Sequence, residues 1–232
     1  MNLTTHDNIK IQHFNYGEDC SPIIVVDDFV NSPNWLIEQA LQQPFNQQRA
    51  FYPGSCADAP SQYKTLFLNS LQDLMITTFN LPSALSLSAC QYSVVTTPPE
   101  QLKLLQRIPH FDSLNKLGLA AVHYLFKQDL GGTSFYRHRK TGFEYIDESR
   151  KIKYFRSLEA ENDGPHMPKI VDGYINGDTA LYKRIAEQQG LFNRLIIYRR
   201  NSLHSGSIRN ELFNVNGLIG SRLTINSFID CR

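Results

Sequence analysis

No stretch of the chain approaches the roughly 18 consecutive apolar residues that span a bilayer, so no membrane-crossing helix is expected. An excess of one charge is missing too. Against 22 acidic side chains stand 23 basic ones, a formal net charge of +1, which is too weak a field to single out nucleic acid as a partner. The four cysteines, Cys20, Cys56, Cys90 and Cys231, form no C-x-x-C pair, which argues against zinc ribbons and thioredoxin-like chemistry; they read as reduced, partly buried thiols. Met1 to Cys20 is polar and lacks the basic-then-apolar order of a secretory signal, so the cytoplasm is the expected location. Repeats, low-complexity tracts and clear linkers are absent as well.

What is present suits a protein with a full core. Hydrophobic residues make up 41% and charged residues 19% of the 232, ordinary values for a globular domain. The first part of the chain reads as mixed. Ile23-Ile24-Val25-Val26 suits a buried strand ended by Asp27-Asp28. Ser32-Pro33 supplies an N-cap and a first-turn proline for a helix that Pro44 stops. A second helix is expected from about Ser61 to Phe79, with Tyr63, Leu66, Phe67, Leu71, Leu74, Met75 and Phe79 on one broad apolar face and Pro82 beyond it.

From Leu85 the period changes to two, the mark of a half-buried strand, until Pro98-Pro99 breaks it. Further strands are expected at Arg107–Phe111, Leu119–Phe126, Thr133–Arg137, Leu191–Arg199 and Arg222–Ile229, with a turn at Asp129–Gly132. Between Gly142 and Gly190 the strand rhythm lapses. Asp178 reads as the N-cap of a helix carrying Leu181, Ile185 and Ala186, with Gly190 at its C-terminal end; the charged Glu144–Glu161 stretch suits a helix or a loop. These patterns predict a mainly β fold with flanking helices (α+β). Its core is an antiparallel two-sheet barrel or jelly roll in one domain over residues 1–232. Helical support lies at about 30–82 and a helical insertion at about 142–190.

Chemistry concentrates in Pro109-His110-Phe111-Asp112. In an extended segment residues two apart share a face, so His110 and Asp112 reach one cation while Phe111 turns into packing. Alone the pattern is weak, because random placement of seven histidines and 22 acids supplies about 0.7 H-x-[DE] pairs in such a chain. A third ligand is offered by His204, which follows the apolar run Leu195–Tyr198. Two histidines and one carboxylate on one side of a metal form the facial triad that leaves positions open on ferrous iron. Arg222 opens the last strand, and its guanidinium fork suits a carboxylate in a bidentate pair.

With these residues in view, the chain resembles the Fe(II)/2-oxoglutarate dioxygenase superfamily, most closely its prolyl-hydroxylase-like branch, over about residues 91–228. His110-Phe111-Asp112 looks like that family's H-x-D, and His204 matches its distal histidine. His123-Tyr124-Leu125 followed by Gly131-Gly132-Thr133-Ser134-Phe135 looks like its strand pair. Arg222, six residues before Phe228, matches the basic residue of its last core strand. The resemblance implies a double-stranded β-helix (jelly-roll, cupin-like) core, Fe(II) held by His110, Asp112 and His204, and 2-oxoglutarate as co-substrate held by Arg222. Tyr124 falls where that branch places a hydroxyl on the same carboxylate.

Two departures stand out. The His204–Arg222 step is long, which requires Asn210–Gly220 to be an inserted loop; otherwise Arg209 or Arg199 takes the co-substrate. The His110–His204 step is long too, in keeping with the insertion. Arg137-His138-Arg139 reads either as an anion site near the metal or as a charged edge strand. His123 reads as a core histidine, and His166 as a loop residue without consequence. Two other readings remain at this point. One is a zinc-dependent hydrolase or lyase on a cupin-like barrel; the other is a β-barrel binding module without catalysis. The substrate, a small molecule or an amino-acid or peptide side chain, and the oligomeric state are not legible.

Overall fold

Two antiparallel sheets, three helices and a few short turns carry the fold. The computed structural model describes residues 2–45, 47–48, 52–82, 84–162, 164–210, 218 and 220–231. In chain order the elements are β1 (Lys10–Tyr16), β2 (Ser21–Asp27), α1 (Pro33–Leu41), β3 (Gln47–Gln48), β4 (Gly54–Asp58), α2 (Ser61–Phe79) and β5 (Leu85–Val95). Then follow β6 (Leu119–Tyr124), β7 (Thr133–His138), α3 (Glu148–Glu161), β8 (Tyr182–Gln188), β9 (Leu195–Arg199), β10 (His204–Gly206) and β11 (Leu223–Cys231). The large sheet runs β1-β2-β9-β6-β11-β5-β4-β3 and the small one β10-β7-β8. The fold is mainly β, as expected, but among the described residues the two sheets do not close into a barrel. Among the described residues no helix is long and apolar enough to cross a membrane.

The large sheet is buried on both faces at its centre, which is why β2 and β9 read as unbroken apolar runs. Ile24, Val26, Leu195, Ile197, Leu223 and Ile225 face the helices, where Leu36 and Ala40 of α1 meet the Tyr63–Phe67–Leu71–Met75–Phe79 stripe of α2. Ile23, Val25, Ile196, Tyr198, Ala120 and Tyr124 face the small sheet and pack on Phe135, Ile185 and Ala186. The α2 stripe recurs every fourth residue, one side of a 3.6-residue period. Asn80, in the left-handed region at φ 49°, ends that helix with its N–H on Thr77 O and Ile76 O, a conformation asparagine tolerates.

Two sequence expectations fail here, and one strand appears where none was expected. The segment after Asp178 is strand β8, not a helix. A bulge in the β7–β8 register leaves Ile185 as the extra residue between partners Ala186 and Arg184, so two consecutive side chains pack on the same cluster. With Leu181, that pairing imitates helical spacing. Asp178 caps no helix; its Oδ1 accepts the Arg184 N–H at 2.8 Å. Gly190 instead allows a close approach, since a Cβ there would stand 2.2 Å from Gly131 O. Arg107–Phe111 is not a strand. A 3-10 turn at Leu104–Gln106 precedes it, Pro109 cannot donate to a ladder, and only His110 forms a bridge, with His204. Strand β1 went unforeseen because all but Tyr16 of its residues are exposed, leaving no alternation to read. Glu148–Glu161 resolves as helix α3, capped by Asp147, which accepts the Ser149 and Arg150 N–H groups. The insertion expected at Asn210–Gly220 falls largely on 211–217 and 219, outside the described residues.

His123 of β6 is a core histidine, as read, and it makes stability depend on pH. It is wholly buried, stacked on Tyr63 with centroids 5.6 Å apart, and its Nε2 donates to Asn193 Oδ1 at 3.1 Å. Burial, opposed by that bond, lowers its pKa to about 4, whereas the unfolded chain protonates near 6.5. The folded form therefore binds this proton less readily than the unfolded form. Its contribution is complete above pH 6.5 and is lost as pH falls toward 4, by about 3 kcal/mol. Urea unfolding of wild type between pH 7.5 and 4.5 should show that loss, and His123→Gln should flatten it. An unchanged pH slope in the variant would contradict the assignment.

Candidate functional site

Backbone pairing brings the expected triad together. His204 opens β10 and exchanges both backbone bonds with His110: the His110 N–H reaches His204 O at 2.9 Å, and the His204 N–H reaches His110 O at 2.8 Å. Two residues on, the Asp112 N–H donates to Arg200 O at 2.8 Å. Phe111 points away and packs on Tyr154 and Phe155 of α3, with centroids 6.2 and 6.1 Å away, so the H-x-D segment is pinned from both sides. Asp112 Oδ1 lies 3.7 Å from His110 Nε2, and Oδ2 lies 3.6 Å from His204 Nε2. One donor atom from each of the three residues falls within 4.8 Å of the other two.

The local chemistry prepares lone pairs. His204 Nδ1 donates to Ser202 O at 2.9 Å, which turns Nε2 toward the carboxylate, the outer-shell device that orients metal-binding imidazoles. Burial, with His204 beside it and Asp112 opposing, lowers the His110 pKa to about 4. Half of that side chain still reaches solvent (49% exposed), and the lowered pKa leaves the ring neutral at pH 7. Tyr198, centred 4.8 Å from the His204 ring, and Phe135, at 6.5 Å, form an apolar floor. Burial, with Asp112 close, keeps the Tyr198 phenol well above its ordinary pKa. No sequence signal marked Tyr198 as part of the site; it lay hidden in an apolar run. The site opens on the side of His110, since His204 is buried and the Asp112 side chain is only 16% exposed.

Arg222 lies along the same strand face. Gly206, two residues beyond His204, shares its side of β10, and a Cβ on Gly206 would come within 3.7 Å of Arg222 Nη2. The guanidinium sits over Tyr124 and Phe126, 5.8 and 5.7 Å from the ring centroids. Its Nη2 donates to Gly132 O at 2.6 Å, while its Nε is buried with no hydrogen-bond partner among the described residues. No carboxylate pairs with Arg222 among the described residues, and a buried guanidinium N–H with nothing to bond is costly. Tyr124 is wholly buried and shares a 2.8 Å hydrogen bond with Thr133 Oγ1.

The alternative arginines are engaged elsewhere. Arg209 pairs with Asp129 at the surface, and Arg199 donates to Phe79 O at 2.7 Å on the helix side of the sheet. The Arg137-His138-Arg139 cluster is likewise consumed internally, so it is not an anion site. Arg137 pairs with Glu18 and with buried Glu144, which also accepts the Glu18 and Asp19 N–H groups at 3.0 Å each. Arg139 pairs with Asp178 at 3.0 Å, and His138, on the opposite face, lies buried 3.0 Å from Glu161. A cavity of about 660 Å³ beside Ile108 and Tyr174 is lined in part by His166 but by none of the triad.

The fold has solved counterparts. HygX from Streptomyces hygroscopicus, crystallised with nickel and 2-oxoglutarate, superposes with a TM-score of 0.52 at 13% identity, covering 92% of this chain and 84% of HygX. The same enzyme with nickel, 2-oxoglutarate and hygromycin B bound gives 0.52 at 14% identity, covering 92% and 83%. EctD from S. alaskensis, with 2-oxoglutarate and 5-hydroxyectoine, is more remote at a TM-score of 0.47 and 10% identity, over 97% and 84%. At these identities the likeness concerns the fold alone. No curated protein sequence matches the chain. Residues 7–229 match the model of a family described as of unknown function, DUF6445, and the chain belongs to that family.

Proposed function

We propose that the protein is a non-haem Fe(II), 2-oxoglutarate-dependent oxygenase built on a double-stranded β-helix core. The observation that carries this reading is the convergence of His110, Asp112 and His204 on one point, with an arginine unpaired to any described carboxylate along the same strand face. Two imidazoles and one carboxylate suit several divalent ions, zinc included. Arg222 favours the oxygenase reading, because a zinc hydrolase has no use for it. The order of motifs along the chain favours the prolyl-hydroxylase-like branch.

The residues divide the work. His110, Asp112 and His204 would hold the ion and leave its remaining positions to co-substrate and dioxygen. Strand rise puts Gly206 roughly 7 Å beyond His204, a separation that suits a five-carbon dicarboxylate with one end at the ion and the other on Arg222. The absent side chain of Gly206 leaves that path clear, and Tyr124 supports the guanidinium from beneath. When bound, iron and 2-oxoglutarate would supply the oxidising power to functionalise an unreactive C–H bond, with release of succinate and carbon dioxide. The apolar floor of Tyr198 and Phe135 keeps water from the closed side.

Anaerobic addition of Fe(II) and then 2-oxoglutarate should produce a visible charge-transfer band. It should also stabilise the fold by about 2.7 kcal/mol when ligand stands a hundredfold above its dissociation constant. Zinc binding with indifference to 2-oxoglutarate would shift the reading to a hydrolase or lyase. No response to either ligand would leave a binding module.

A further inference from the structure

The row of side chains beneath the triad divides the inner face of the large sheet. Register sets Tyr198 of β9, Ala120 of β6 and Phe228 of β11 level with one another, and the Tyr198 ring lies 4.8 Å from that of His204. Toward Arg222 the strands carry the span given above to the co-substrate. The row on the opposite side is charged. The Arg200 N–H donates to Gly118 O at 3.0 Å. The β11–β6 register, continued one residue past Ile229, brings Asp230 level with Gly118. Arg200, Gly118 and Asp230 thus stand one row beyond the triad, about 7 Å along the strands, on the side that the co-substrate leaves open.

Arg200 is joined to the triad directly, since its carbonyl accepts the Asp112 N–H at 2.8 Å. Its side chain lies across the sheet in a place made for it. A Cβ on Gly118 would stand 2.7 Å from Arg200 Nε and 2.9 Å from Nη2, so glycine lets the guanidinium rest against β6. The guanidinium covers the Phe228 ring, 5.3 Å from its centroid, and Nη2 donates to Asp230 Oδ1. Nη1 reaches Ser88 Oγ only at 3.5 Å, a weak bond. Each of these nitrogens carries two N–H groups, so donors are left over. The Asp230 side chain is 36% exposed, and its Oδ2 accepts no hydrogen bond among the described residues. A cation with spare donors therefore sits beside an anion with a spare acceptor, at the rim of the apolar floor.

We propose that Arg200 and Asp230 hold the head group of a zwitterionic substrate, a free α-amino acid with an aliphatic side chain. Its carboxylate lies on the outer N–H groups of Arg200, whose fork suits that group, and its ammonium lies on Asp230. The side chain runs over Phe228 and Ala120 toward the triad. The inference rests on the functional reading above for what the side chain approaches, but not for the head-group preference. Opposite charges side by side select against a ligand that carries only one: a lone carboxylate meets Asp230, and a lone ammonium meets Arg200.

The test uses L-norleucine, whose unbranched side chain spans about one row of the sheet, and two analogues that each lack one charge. Hexanoate is without the ammonium, and pentylamine is without the carboxylate. Calorimetry on protein loaded with Ni(II) and 2-oxoglutarate should give L-norleucine a dissociation constant at least about tenfold below that of either analogue, the effect of one charge-assisted hydrogen bond. Arg200→Gln should erase its advantage over pentylamine, and Asp230→Asn its advantage over hexanoate. Gly118→Ala keeps both charges, displaces only the end of a flexible side chain, and should weaken L-norleucine as well. Equal affinities across the three ligands, no binding of L-norleucine, or an advantage that survives Arg200→Gln or Asp230→Asn would overturn the proposal and leave the pair as a tie across the sheet edge. If wild type shows no stabilisation by metal and 2-oxoglutarate, the functional reading fails instead, and the head-group preference is then read on protein without them.

Discussion

Asp112→Ala is expected to abolish metal-dependent turnover of 2-oxoglutarate while leaving the fold intact. The carboxylate is the only anionic donor of the triad and the group on which both imidazoles converge, at 3.7 and 3.6 Å. Its removal leaves two neutral donors, too few to hold a divalent ion against water. Loss of a mere outer-shell partner weakens metal sites by about 10–100-fold, so loss of a direct ligand should exceed the upper end of that range. The backbone is spared, since the bond from the Asp112 N–H to Arg200 O does not involve the side chain. Far-UV circular dichroism should therefore match wild type while isothermal titration shows Fe(II) affinity gone. A variant that bound Fe(II) as wild type does would remove Asp112 from the site. His204→Ala is the less clean probe, because that ring is buried against Tyr198 and Phe135 and its loss also opens a cavity.

Arg222→Ala should raise the dissociation constant for 2-oxoglutarate by about 10- to 150-fold, the range that follows from about 1.5–3 kcal/mol for a charge-assisted hydrogen bond. Metal binding should persist, because the guanidinium lies a strand step beyond Gly206 rather than among the ligands. Arg222→Lys should restore little, since an ammonium cannot reproduce the planar fork. Arg209→Ala is the control: its partner is surface Asp129, and exposed pairs contribute little. The two variants therefore separate the assignments. Loss of co-substrate affinity in Arg209→Ala with no loss in Arg222→Ala would transfer the role to the other arginine.

Legibility in the sequence followed burial. Helix α2 was readable to its ends because its apolar stripe lies wholly under the sheet and a proline follows it. Strands β2 and β9 were readable as runs because both their faces are covered. Where one face meets solvent, the signal weakened: β1 shows no alternation because nearly all of it is exposed, and β8 imitates a helix because a bulge turns neighbouring side chains to the same side. The triad was visible as residue types and order, but its convergence depends on the His110–His204 backbone pair, which no local pattern encodes. The fate of the Arg137–Arg139 charges was illegible for a related reason, since Glu18, Glu144 and Asp178 approach them through tertiary folding.

The paired backbone of His110 and His204 has a consequence for ion choice. On the proposed reading, two of the three ligands would be locked to each other by main-chain bonds, and the third anchored to Arg200 on the other side. Main-chain bonds thus set the spacing of these side chains, unlike in small domains that fold around their metal. A preset, three-cornered face with open corners exerts little veto over which divalent cation settles there. The resident ion is then decided by cellular supply and by the ligands that fill the open corners, so preparations of this protein should carry whichever metal their medium favoured.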